Sequence, residues 1–121
     1  MCNDLNTVNE RLDFLEFRQD LLFENSHVSR FLFETRTTRK QYNAIMDVMD
    51  HYREMIENGQ EVNNYSFERS IYEAIGSSGD YHFCEDIAKS FMEDGRWPEV
   101  FPALYGHFDK YRNYMNNYKH E

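Results

Sequence analysis

Asp47, His51 and Glu54 have the residue types and the spacing for metal or acid–base chemistry, because steps of four and three put all three on one face of a helix. A histidine between two carboxylates could hold a divalent ion for hydrolysis. Asp50 and Glu57 extend the same face, however, and a solvated polar face accounts for all five without an ion. His82, Cys84, Glu85 and Asp86 make a second cluster, but residues this close on a helix diverge and cannot converge on one tetrahedral ion. Glu54-Met55-Ile56-Glu57 matches half of the Glu-x-x-Glu pattern with which helical nucleotide pyrophosphatases hold magnesium, and the downstream half is missing. Gly76-Ser77-Ser78-Gly79 lacks the lysine of a phosphate loop. Cys84 falls within an apolar-periodic helix, where a cysteine serves as a small core residue. No catalytic residue, metal ligand or cofactor site is expected.

The carboxylates have a second possible use. Asp47, Asp50, Glu54 and Glu57 recur so that successive carboxylates lie roughly 5 Å apart along a helix axis, comparable to the phosphates of one nucleic-acid strand. Such a row could imitate DNA inside the basic channel of a defence nuclease or polymerase, as small phage-encoded inhibitors do. Asp13, Glu16, Asp20 and Glu24 form a second row, and Asp80, Glu85, Asp86, Glu93, Asp94 and Glu99 a third acidic region. Arg11, Arg18 and Arg53 interrupt the rows, and the acidic excess is spread over both halves of the chain. Solvated helix faces explain the same pattern.

Basic residues cluster only at Thr35-Arg36-Thr37-Thr38-Arg39-Lys40, and the tail interleaves Lys110, Arg112 and Lys119 with Tyr111, Tyr114 and Tyr118. With a formal charge of -9 over 121 residues, direct nucleic-acid binding is not expected. A protein partner with a basic surface is compatible with that charge. The tail tyrosines continue a helical stripe, for the core or for a second subunit.

A chain of this length builds one core, so residues 1–121 read as a single domain, with a short flexible tail from about 116. Ten Phe, nine Tyr and one Trp make that core ring-rich. No apolar run is long enough for a membrane span and no secretory signal is seen, so a cytoplasmic location is expected. Cys2 and Cys84 form neither a metal nor a disulfide framework.

The elements that position these residues all read as helices. Leu5, Val8, Leu12, Leu15 and Leu22 form a heptad-like seam from about Asp4 to Glu24, broken at Gln19 and widened by Phe14, Phe17, Leu21 and Phe23. A two-turn helix follows over Ser26 to Glu34. Thr38 with Gln41 makes a capping box for a helix burying Tyr42, Ile45, Met46, Met49, Tyr52 and Ile56, which ends at Asn58-Gly59. Ser66 is expected to cap a helix ending at Gly76, and Asp80 one ending at Gly95. A last helix is expected from Pro98 nearly to the end. The fold class is all-α, a compact bundle of five or six helices.

The Glu10-Arg11-Leu12 opening with Leu21-Leu22-Phe23, the capped central helix and the Gly95-Arg96-Trp97-Pro98-Glu99 turn resemble the YhaI-like family of small bacterial proteins of unknown function. The resemblance spans about Glu10 to Phe108 and implies a compact helical protein that self-associates. It supplies no catalytic residues. The expected function is a non-enzymatic protein–protein interaction module, a homo-oligomer joined through Leu5, Val8, Leu12, Leu15, Tyr111, Tyr114 and Tyr118. The alternative is a phage-type acidic inhibitor that meets its partner through Asp47, Asp50, Glu54 and Glu57.

Overall fold

The structure, a computed structural model, describes residues 7–77 and 80–119, with 117–119 as backbone alone. Leu5, the Tyr118 side chain and Ser78-Gly79 of the Gly76 to Gly79 loop therefore lie outside the described residues. Among the described residues there are seven α-helices and no strand: α1 (Val8–Glu24), α2 (His27–Glu34), α3 (Arg39–Glu57), α4 (Asn64–Ile75), α5 (Tyr81–Glu93), α6 (Val100–Tyr105) and α7 (Arg112–Lys119). A 3-10 turn, Asp109–Tyr111, joins the last two. The all-α class holds.

The helix count differs because the single last helix expected from Pro98 is divided. Phe108 adopts an extended backbone (φ -68°, ψ 137°), which ends the run of helical residues after Gly106. Gly106 itself crosses so close to α6 that a Cβ there would stand 2.6 Å from the Pro102 carbonyl oxygen. No proline marks the break.

Local chemistry sets most boundaries. Thr7 with Glu10, Ser26 with Ser29 and Thr38 with Gln41 each form a reciprocal capping box, so α1, α2 and α3 start with their first amides satisfied. The cap of α4 is Asn63 and not Ser66: the Asn63 side chain accepts from the Ser66 amide at 2.9 Å, while the Ser66 hydroxyl pairs with the Tyr52 hydroxyl at 2.7 Å. Gly59 and Gly95, both left-handed, close α3 and α5 by pairing their own and the next residue's amide with carbonyls of the last turn. Arg36 ends α2 the same way at φ 56°, without the freedom of a glycine.

The core lies where α3 packs on α4, α2 on α5, and α6 on both α3 and α5. Phe67, Phe91, Phe101 and Tyr105 are wholly buried there. Phe67 meets Tyr52 edge-on at 5.3 Å and Tyr105 at 6.4 Å, a geometry that brings the positive ring edge to the negative face. Each such ring stabilises the fold by about 2–3 kcal/mol through burial. The Tyr105 hydroxyl donates to the mostly buried Glu68 carboxylate at 2.7 Å, so burying both polar groups leaves neither unpaired.

Candidate interaction surface

α1 is apolar on two opposite faces. One carries Phe14, Phe17 and Leu21, which are buried; Phe17 packs against Tyr42 of α3 at 6.0 Å between ring centres. Arg18 holds α1 to α2, donating to the Phe33 carbonyl at 3.0 Å with its guanidinium 3.8 Å from the Phe33 ring centre. Partial burial and then the charge of Arg36 draw the Arg18 pKa below its ordinary value. The other face carries Val8, Leu12, Leu15, Leu22 and Phe23, which stand between 57% and 93% exposed. The seam expected from the sequence is thus present as a stripe on the outside, and the chain's own core uses the rings behind it. Gln19 occupies the stripe's remaining heptad position and is exposed as well. Leu22 and Phe23 extend the stripe beyond the residues assigned to self-association; the signal for Leu22 was the heptad step from Leu15 past Gln19, and Phe23 lies one helical turn beyond Gln19.

The acidic residues divide by use. Asp47, Asp50, Glu54 and Glu57 are all exposed on one face of α3. Asp50 is nevertheless an internal anchor, accepting the Trp97 indole N–H at 2.8 Å. Arg53 runs beside the row, 3.5 Å from Glu99. Asp47, Glu54 and Glu57 have no side-chain hydrogen bond or ion pair among the described residues. The third acidic region is largely consumed by the fold. Asp94 caps α2 by accepting from the amides of His27 and Val28 at 3.0 and 2.9 Å, and Asp80 caps α5. Glu93 accepts from the Tyr114 hydroxyl at 2.8 Å and stands 3.5 Å from His27 Nδ1.

The tail folds back on the core. Tyr111 and Tyr114 pack edge-on against Phe101 with ring centres 5.0 and 6.3 Å away. The buried Glu85 carboxylate accepts from the Tyr111 hydroxyl at 2.6 Å and from Lys110 at 2.8 Å on the same oxygen. That hydrogen bond to Glu85 raises the Lys110 pKa, while burial first and Glu85 second raise that of Tyr111. Both side chains keep their protons, so the carboxylate stays paired.

The groups that could do chemistry are separated. Cys84 is fully buried, and burial pushes its thiol up to about 12, so it holds its proton and is no nucleophile at neutral pH. His82, two residues away, is exposed and lies 4.2 Å from the Tyr81 ring. Among the described residues no three His, Cys, Asp or Glu side chains stand together as a metal site, Asp47, His51 and Glu54 included. No described helix is long and apolar enough to cross a membrane. A cleft of about 540 Å³ opens between the end of α2 and the α4–α5 connection, lined by Thr35, Arg36, Gln41, Ile75 and Phe83 among others. Gln41 is spent there on the Ile75 carbonyl, 2.9 Å away, and on its own capping box.

Among the described residues, five of the seven large hydrophobic side chains that stand exposed lie on the outward face of α1, the other two being Tyr65 and Tyr81. Neither a protein-family model, nor a curated protein, nor a solved structure matches this chain.

Proposed function

We propose that this chain is a non-enzymatic interaction protein that works by packing the outward face of α1 against another protein. One observation carries this function: five large apolar side chains share a face of a 17-residue helix whose opposite face already lies on the core. Together they present on the order of 600 Å² of apolar surface, the upper end of the largest patch on a typical monomer, and patches of that size are often functional. The helix is held in shape by its own core contacts, so a partner need not order it on binding. The YhaI-like resemblance is compatible with such a function and is itself part of the proposal.

The test is a pull-down with the tagged chain and with a Leu12→Glu/Leu15→Glu variant, followed by mass spectrometry. Proteins retained by the first and lost from the second, a further copy of the chain included, support the proposal. An identical set from both sinks it.

The acidic-inhibitor alternative rests on Asp47, Glu54 and Glu57, exposed on one face and without a side-chain partner among the described residues. Reversing these three to Lys, with Asp50 left in place, should abolish salt-sensitive capture of a basic enzyme. Capture that survives the reversal removes the alternative.

A further inference from the structure

We infer that the occupant of the outward face of α1 is a second copy of this chain, with the two α1 helices lying parallel as a short coiled coil. The inference rests on that face being the contact surface and goes on to name the partner and its orientation. Val8, Leu12, Leu15, Gln19 and Leu22 run in alternating steps of four and three, the two core positions of a heptad. All five are exposed and lie opposite the face that holds Phe14, Phe17 and Leu21. Each copy's own core therefore sits on the far side of its α1, clear of the seam.

Charge decides the partner and the orientation. Arg11 flanks the seam on one side and Glu16 on the other, and neither has an ion-pair partner among the described residues. In a parallel pair each flanking residue faces the opposite flank of its twin five positions on, so Arg11 of each copy meets Glu16 of the other. Gln19 then faces Gln19, and two amides can donate to and accept from each other. An antiparallel pair would set Arg11 against Arg18, or Glu16 against Glu16, depending on register. It would also oppose Gln19 to Val8 or Leu15 and leave its amide unpaired.

The area is sufficient. Two such faces bury roughly 1,200 Å² together, the lower bound of a standard specific interface. The polar position at Gln19 trades stability for register, as a single polar core residue does in other two-stranded coils.

Light scattering at tens of micromolar should give twice the 14.7 kDa chain mass, falling to one chain for Leu12→Glu/Leu15→Glu with helical circular dichroism unchanged. In a Cys2→Ser background, with Cys84 buried, Val8→Cys and Leu22→Cys should each cross-link to itself under mild oxidation. Arg11→Glu should weaken the dimer several-fold, and adding Glu16→Arg should restore it. Gln19→Cys chains that cross-link only to Val8→Cys or Leu15→Cys chains would overturn the parallel arrangement. A mass of one chain throughout would overturn the second copy. In that case the Leu12→Glu/Leu15→Glu pull-down decides the broader function: a different protein lost with the seam leaves α1 as a contact surface, and no difference removes that too.

Discussion

The indole N–H of Trp97 donates to the Asp50 carboxylate at 2.8 Å, joining the turn before α6 to the middle of α3 across 47 positions of sequence. Trp97 has a left-handed backbone, φ 46°, which costs a bulky residue about 1–3 kcal/mol. The surroundings hold it there. Phe91 meets its ring edge-on at 4.9 Å, and the Arg96 guanidinium lies 5.2 Å from the ring centre. By spacing Asp50 belongs to the acidic row; by contact it belongs to the fold.

Asp50→Ala should therefore destabilise the chain by about 1–2 kcal/mol, the loss of a charge-assisted hydrogen bond to a buried donor. Asp47→Ala, Glu54→Ala and Glu57→Ala should each stay within about 0.5 kcal/mol, as surface substitutions do. Urea midpoints of the four variants check this. Equal midpoints would mean that Asp50 is only one more surface acid.

At the start of α2 the Asp94 carboxylate accepts from two backbone amides. Asp94→Ala removes both bonds and the favourable charge at the helix N-terminus, and should cost about 1–2 kcal/mol. Hydrogen exchange would locate the effect: the amides of His27 and Val28 should exchange faster while those in the middle of α3 keep their protection. Unchanged exchange at α2 would show that the Ser26 capping box suffices alone.

Alkaline pH should unfold this protein early. Burial raises Cys84 from 9.0 to about 12 and Tyr72 from 10.0 to about 12, and it raises Tyr105 and Tyr111 as well. Lys110 is raised by its bond to Glu85. Each group binds its proton more tightly folded than unfolded, so its contribution is whole below the unfolded pKa and is lost as pH climbs through the folded one. Melting temperature should hold level up to about pH 8.5 and fall beyond 9, Cys84 titrating first in the unfolded chain. Cys84→Ala should flatten the first part of that decline relative to its own neutral-pH stability. A decline that begins below pH 8 would point to other groups.

Legibility in the sequence followed the range of the interaction. Thr38 with Gln41 and Asn58-Gly59 are local patterns, and α3 begins and ends where they stand. The end of α6 was hidden because the apolar stripe continues past Gly106 and Phe108, and only the extended backbone of Phe108 reveals the break. Glu85 to Tyr111 and Glu93 to Tyr114 span 26 and 21 positions, so nothing local marked those acids as internal partners of the tail. α1 was ambiguous for a different reason. Both of its faces carry an apolar helical period, and periodicity cannot say which of two such faces the core will take.

Leu21 and Leu22 separate those two faces at adjacent positions, 5% and 62% exposed. Leu21→Ala leaves a cavity between α1 and the core and should cost about 2–4 kcal/mol at any protein concentration. Leu22→Ala removes atoms that stand mostly in water in the single chain, so at high dilution it should cost only about 0.5 kcal/mol. If a second copy covers Leu22, the wild-type melting temperature should rise with concentration by mass action, and Leu22→Ala should blunt that rise. Leu21→Ala should lower the whole curve and leave its slope in place. Scanning calorimetry of the three proteins over a hundredfold concentration range separates the cases. A wild-type melting temperature independent of concentration would mean that the stripe on α1 serves a different protein, or none.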